Sequence, residues 1–361
     1  MSSSLAYQLC APKPDSFLLA VNALDVIDGT SPALLAGSRD ATIRMFQLPS
    51  AGPLGCWEAH SDWVCDVKFL KGSLSSGKSL RFASASCDRT IKLWDVDEGD
   101  AVATLKEHND HVKCLEQSDG YLFSASLDRL VVQWDLMEAP RVVNRFEVEE
   151  SVYGLAADGH FVAAGMANNA ITLFDHRMRD AFTTLRHDAG PSFSVVRCLS
   201  FSAPHLRSGN ASGDFIEWDM RMMRPMHVKC FPTGDIRALV PFTPREIEMD
   251  DHSWHSWLIQ AGGTVNHVTL SAQSQTTNAN AGKTSLLPLV GDEQVLTAVT
   301  LPASLQDHAS HASLMVATSR GLSLCPMAVE EGGPIISQPW QHCSGGALSF
   351  HLLSDRRHVV T

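Results

Sequence analysis

Positive charge is in short supply: 28 Lys and Arg stand against 40 Asp and Glu in 361 residues, a formal net charge of −12. That balance argues against a general nucleic-acid binder. No apolar run reaches membrane-spanning length, and the opening MSSSLAYQLCAPKPDS has no basic stretch followed by an apolar core. Neither a spanning helix nor a secretory leader is expected. The nine cysteines, scattered singly from Cys10 to Cys343, contain no C-x-x-C pair. Cys65, Cys114 and Cys198 alternate with apolar residues and read as small buried hydrophobes, so a reducing compartment, cytoplasmic or nuclear, is expected.

Cofactor signatures are missing too. The chain has no G-x-G-x-x-G, no G-x-x-x-x-G-K-[ST] and no G-x-S-x-G. AGKTS at 281–285 lacks the earlier glycine a phosphate loop needs. His252-Ser-Trp-His255 and His308-Ala-Ser-His311 have the bare H-x-x-H spacing without a third ligand, so no metal and no cofactor are expected.

What the chain does have is repetition. Residues 82–95 read FASASCDRTIKLWD and residues 122–135 read LFSASLDRLVVQWD. Each is an apolar strand ending in Ser-Ala-Ser, a turn aspartate (Asp88, Asp128), and a second strand ending in Trp-Asp. The Trp94-Asp95 and Trp134-Asp135 pairs are 40 residues apart, a period that marks one β-propeller blade per repeat. Weaker copies end at Phe46, Phe174-Asp175 and Trp218-Asp219. The expectation is an all-β propeller with repeats at about 18–48, 60–98, 108–138, 150–178, 194–221, 235–270 and 295–327. A truncated eighth unit follows at 346–361, with 271–284 a polar linker. The polar stretch TPREIEMDDHSWHS (243–256) is expected to be a surface loop. With the last unit cut short, ring closure falls to a terminal strand such as LAYQL (5–9), and the isolated chain is expected to be marginally stable.

Blades stack because a four-stranded sheet cannot bury both faces alone. In complete repeats a histidine, a strand serine, the turn aspartate and the tryptophan are placed to form a hydrogen-bonded chain: His60, Ser84, Asp88 and Trp94, then His108, Ser124, Asp128 and Trp134. The Ser-His-Asp content suggests a catalytic triad, but catalysis needs one exposed constellation, and this one is periodic. The chain is read as structural and the protein as a non-enzyme. Blades one and four lack the full set: Phe46 and Phe174 replace tryptophan and Asn168 takes the aspartate position.

Residues just before the first strand's valine and just before the turn aspartate are expected on one rim: Arg39, Trp63, Cys87, His111, Leu127 and Ser151. Trp63 and His111 stand out as an interaction hot spot, because exposed aromatics carry disproportionate binding energy. The alternative is that Trp63 only packs against the adjacent blade.

These repeats resemble the WD40 family over nearly the whole chain. HSDWVCDV (60–67), HNDHVKCL (108–115), LDRLVVQWD (127–135), VATSRG (316–321) and HLLSDRRHVVT (351–361) are similar to the WD repeat-containing protein 48 family, propellers that bind and activate ubiquitin-specific proteases. That resemblance implies an eight-bladed propeller docked on a protease catalytic domain, without chemistry of its own. It carries a basic contact onto Arg197, and places Arg237 and Thr264 where the family has an aromatic residue and an arginine. Those two departures favour the alternative, a generic WD40 adaptor such as a ubiquitin-ligase substrate receptor or trafficking scaffold.

Overall fold

The computed structural model describes residues 19–29, 31–48, 52–71, 80–137, 139–178, 181–187, 194–231, 234–241 and 295–301. It also describes, as strands, 253–260, 264–271, 286–288, 312–318, 321–327, 338–342, 350–352 and 358–360. These residues form seven four-stranded antiparallel sheets, each made of four consecutive strands in chain order, and one two-stranded sheet. The protein is an all-β propeller.

Blade one holds β1 (Val21–Ile27), β2 (Ala33–Ser38), β3 (Thr42–Gln47) and β4 (Pro53–Glu58). Blade two holds β5 (Val64–Phe69), β6 (Arg81–Ser86), β7 (Ile91–Asp95) and β8 (Ala101–Leu105). Blade three holds β9 (Val112–Ser118), β10 (Tyr121–Ser126), β11 (Leu130–Asp135) and β12 (Arg141–Glu147). Blade four holds β13 (Val152–Asp158), β14 (Phe161–Met166), β15 (Ala170–Asp175) and β16 (Ala181–Arg186). Blade five holds β17 (Val196–Ser202), β18 (His205–Asn210), β19 (Asp214–Asp219) and β20 (Arg224–Cys230). Blade six holds β21 (Ile236–Pro241), β22 (Ser253–Gln260), β23 (Thr264–Ser271) and β24 (Leu286–Pro288). Blade seven holds β25 (Val295–Thr300), β26 (Ala312–Thr318), β27 (Gly321–Met327) and β28 (Gln338–His342). β29 (Phe350–Leu352) pairs with β30 (His358–Val360).

First strands touch first strands from β1 through β5, β9, β13, β17 and β21 to β25, and β25 touches β1 again. The first strand of each blade is therefore innermost, and the ring closes between blades seven and one. The joint is apolar: Val21, Leu34, Ala36, Phe46 and Leu48 pack with Leu301, Met315, Ala317 and Leu322. This corrects the eight-bladed ring implied by the resemblance. It also removes the reason for expecting marginal stability, since β29 and β30 are not needed for closure. The segment LAYQL (5–9) and the linker residues 272–284 lie outside the described residues.

Each sequence repeat stops at the third strand. The fourth strands (β4, β8, β12, β16, β20) follow the Trp-Asp position and face solvent on one side: β12 alternates exposed and covered residues along its length. The second and third strands are buried almost throughout, as in β6 and β10, because neighbouring blades cover both faces. In blade six, Ser253–Ser256 belong to β22, where Ser256 pairs with Pro241 and Trp254 with Leu270. The expected surface loop is thus shorter by four residues, and His255 sits in a strand.

The Ser-Ala-Ser signature has a separate physical cause at each position. The middle residue must be small because the next blade presses against it. At the matching Gly37, a Cβ would stand 2.6 Å from Val64 Cγ1, and at Gly165 2.8 Å from Val196 Cγ1. The third residue caps the hairpin: Ser86 Oγ accepts from Asp88 N and donates to Asp62 O, and Ser126 does the same with Asp128 N and Asp110 O. The first serine belongs to the chain of side chains described next. One residue after the turn-aspartate position, held by Asn168 in blade four and Ser212 in blade five, the backbone is left-handed, at Ala41 (φ 64°), Arg89 (70°), Arg129 (67°), Asn169 (61°) and Gly213 (91°). The hairpin geometry repeats even where the sequence does not.

Candidate functional site: a repeated hydrogen-bond chain and the rim above it

In blade two Trp94 Nε1 donates to Ser84 Oγ at 2.9 Å, Ser84 Oγ lies 2.7 Å from His60 Nε2, and His60 Nδ1 lies 2.8 Å from Asp88 Oδ2. A carboxylate only accepts, so His60 donates from Nδ1 and takes the serine proton's hydrogen bond at Nε2. Blade three repeats this with Trp134, Ser124, His108 and Asp128 at 2.9, 2.8 and 3.0 Å. Burial alone would raise the carboxyls of Asp88 and Asp128, but hydrogen bonds from their histidines and from nearby backbone amides hold both below the ordinary carboxylate range. Ser84, Ser124 and both imidazoles are buried. The chain joins loop, two strands and turn within a blade; it offers no exposed nucleophile.

Blade five carries a third copy that sequence reading missed. Trp218 Nε1 donates to Ser208 Oγ at 2.9 Å, and that hydroxyl lies 2.8 Å from His187 Nε2. His187 escaped notice because it stands further ahead of its first strand than His60 or His108 do. Ser212 occupies the aspartate position, and Asn210 substitutes: its Oδ1 accepts from Ser212 N and Asp214 N, and its Nδ2 donates to Asn169 Oδ1 in blade four. Blades one and four replace the tryptophan–serine pair by Phe46 with Ala36 and Phe174 with Ala164, all fully buried. In blade one Asp40 instead meets the buried Arg44, whose Nη1 also donates to Thr42 Oγ1.

In blades one to five the rim is built by one backbone hydrogen bond per blade. The residue before the turn aspartate donates its N–H to the residue before the first strand's valine: Arg39 to Ala20, Cys87 to Trp63, Leu127 to His111, Ala167 to Ser151 and Ala211 to Val195. Arg39, Trp63, Cys87, His111, Leu127 and Ser151 therefore share one edge of the ring. Trp63 is 46% exposed and the Arg39 guanidinium lies 4.8 Å from its ring centroid, held there by Asn22 Oδ1. His111 is equally exposed beside Asp110. Leu127 and Ser151 are half-buried, and Ser151 Oγ donates to Leu127 O.

Cys87 departs from the expected outward placement: it is buried, with its Sγ 3.3 Å from Cys65 Sγ. Cys65, expected inside as a small hydrophobe, is half-exposed and accepts from Lys113 Nζ at 3.5 Å. The hydrogen bond from Cys87, helped by Lys113 and opposed by burial, brings the Cys65 thiol down to about 7. Cys114 and Cys198 fit the expectation better, with burial pushing both thiols up, Cys198 to about 12.

Arg197 and Arg237 are brought together rather than presented. Each lies 2.7 Å from a carboxylate oxygen of Asp235, which bridges them at the joint of blades five and six. Thr264 opens β23.

Two further clusters escaped sequence reading. On the innermost strands Lys68 Nζ is 2.9 Å from Glu116, and Asp25 and Asp66 accept the backbone N–H of Phe69 and Leu115 in the next blade at 2.7 and 2.8 Å. Burial pushes Asp66 up to about 7, against its Leu115 hydrogen bond and Lys68. Outside the ring of first strands, Asp119, His160 and His176 place three ligand-type atoms within 4.8 Å of one another. Asp119 Oδ2 is 2.7 Å from His160 Nδ1 and 3.4 Å from His176 Nε2, while Gln133 Nε2 holds the other nitrogen of His176. It is the one potential metal-ligating trio among the described residues. Asp119 and His160 are 41 residues apart and His160 and His176 are 16 apart, so no local motif announces it.

Comparison with known proteins agrees with this architecture. The family model WD40 (WD domain, G-beta repeat) matches residues 51–95 and 99–135, the segments that include the third strand of blades two and three. The chain is 31% identical over 184 residues to Mitochondrial division protein 1 of Aspergillus niger and 30% identical over 184 residues to that of Aspergillus oryzae. It is 28% identical over 179 residues to the Neosartorya fischeri protein of the same name. Each match takes in about half of this chain but only 24% of the relative's length. The matched family model is that of a WD repeat and not of a catalytic family.

Proposed function

We propose that this WD-repeat propeller is a non-catalytic adaptor that docks a protein partner on the rim carrying Arg39, Trp63 and His111. The carrying observation is the Arg39–Trp63 stack: a large aromatic left 46% exposed, pre-positioned by a cation that is itself hydrogen-bonded. Rigid aromatics and arginines supply most of the energy at protein interfaces. The periodic Ser-His-Asp sets are occupied in tying loop, strands and turn within their own blades, which supports the non-enzymatic reading.

The proposal is of a general adaptor, sited in the cytosol or nucleus. The family-model match to a WD repeat supports the general reading. The activator of a ubiquitin-specific protease is the narrower version, and it has less support. Its basic contact, Arg197, is tied with Arg237 to Asp235, and the matched relatives are named for mitochondrial division. Affinity capture with wild-type chain and with Trp63→Glu tests the proposal. It stands if a protein retained by wild type is lost by the folded variant and cross-links to the rim when both are purified. It fails if the variant retains every partner. Adding a ubiquitin-specific protease catalytic domain and following ubiquitin cleavage decides the narrower version: faster cleavage, weakened by Arg197→Glu, would establish it.

A further inference from the structure

We infer that Cys65 and Cys87 form a peroxide-oxidisable dithiol, a modification site set into the rim of blade two. The two sulfurs already stand 3.3 Å apart. Cys65 is the extra residue of a β-bulge between Val64 and Asp66, where β5 loses register with β6. A bulged residue is unpaired and its side chain is re-aimed; here it points at the hairpin that carries Cys87. The backbone keeps the pair in reach, because Cys87 N donates to Trp63 O at 3.0 Å. Small motion alone separates this arrangement from a disulfide, whose sulfurs sit about 2.05 Å apart.

The surroundings divide the two thiols into an attacking and a resolving partner. Lys113 Nζ lies 3.5 Å from Cys65 Sγ and donates a hydrogen bond to it. The charged groups acting on the pair are Lys113 on β9, which favours the Cys65 thiolate, and Asp62, which opposes negative charge nearby. Cys87 keeps its proton and donates it toward Cys65, so its own thiol is held far above the usual range. Thiolate character and access govern oxidation, and Cys65 has both.

The chemistry balances with one peroxide. The Cys65 thiolate attacks a peroxide oxygen, the O–O bond breaks, and the departing hydroxide takes a proton to leave water and a Cys65 sulfenic acid. The Cys87 sulfur then attacks the Cys65 sulfur, the S–O bond breaks, and the second hydroxide leaves as water with the Cys87 proton. Two thiols are oxidised by two electrons and the peroxide is reduced to two waters. Cys87 loses its thiolate neighbour in the first step, which frees its proton for the second.

The test uses the full chain, reduced, desalted and treated with hydrogen peroxide, followed by intact mass and non-reducing peptide mapping. The expected result is a Cys65–Cys87 cross-link and loss of two hydrogens per chain, reversed by dithiothreitol. Its rate should rise with pH to half its maximum near about 7. Cys87→Ser should leave a Cys65 sulfenic acid that dimedone traps, and Lys113→Gln should shift the pH profile upward. The wild-type chain carries its own controls in Cys56 and Cys230, both free thiols, so the comparison does not depend on any variant folding. The inference is overturned if Cys65 reacts no faster than Cys56 and Cys230, or if the cross-link joins other cysteines.

Discussion

The indole of Trp94 and the hydroxyl of Ser84 occur together or not at all. Where the chain has tryptophan at this position it has serine opposite, with the same 2.9 Å hydrogen bond in blades two, three and five. Where it has phenylalanine, at Phe46 and Phe174, it has alanine, at Ala36 and Ala164. The pairing follows from the cost of burying an indole N–H without an acceptor.

Ser84→Ala is therefore expected to destabilise the protein by about 1–3 kcal/mol, because Trp94 and His60 both lose their partner. Adding Trp94→Phe to Ser84→Ala should cost less than the sum of the single changes, since the double variant reproduces blade one. Urea denaturation of the four proteins checks this; additive costs would contradict it.

Acid should weaken the same chain. Asp88 and Asp128 have folded-state carboxyls below the ordinary range, so each contributes stability that is present above the unfolded value of about 3.9. That contribution is lost as pH falls through the folded value. The melting temperature is expected to drop below about pH 4, and Asp88→Asn should flatten that drop while lowering stability at neutral pH.

Asp66 has the opposite sign. Its carboxyl is raised to about 7, so its favourable contribution is complete below about pH 4 and disappears as pH rises through about 7. Asp66→Asn keeps an oxygen for the Leu115 N–H. The variant is expected to lose less stability than wild type between pH 5 and 8, measured by thermal melts at the two pH values. An unchanged gap would place the titration elsewhere.

Trp63→Ala removes an exposed ring and is expected to change stability by no more than about 1 kcal/mol, as surface substitutions do. It should nonetheless abolish capture of a rim-bound partner. A large loss of stability with binding intact would show that Trp63 serves packing.

The sequence made blades two and three legible because every position of their signature has one demanding neighbour: an acceptor for the indole, a close blade for Ala85, a cap for the turn. Blade five was only half legible, since His187 lies behind a longer connection and Asn210 takes over from an aspartate. Fourth strands left no signature, because one of their faces meets water and tolerates any alternating pattern, as β12 does.

Local demands of hairpins, caps and interblade packing were thus written in the chain itself, and they determined the all-β repeat, the tryptophan–serine–histidine–aspartate chains and the rim positions. Tertiary structure alone decided matters that join distant residues. The ring closes after seven blades because the apolar faces around Phe46 and Met315 meet, which no repeat count in the sequence requires. Cys65 lies against Cys87, Arg197 and Arg237 share Asp235, and Asp119 bridges two histidines. Each of these depends on a bulge, a blade joint or facing hairpins, where the distance in space has no relation to the spacing along the chain.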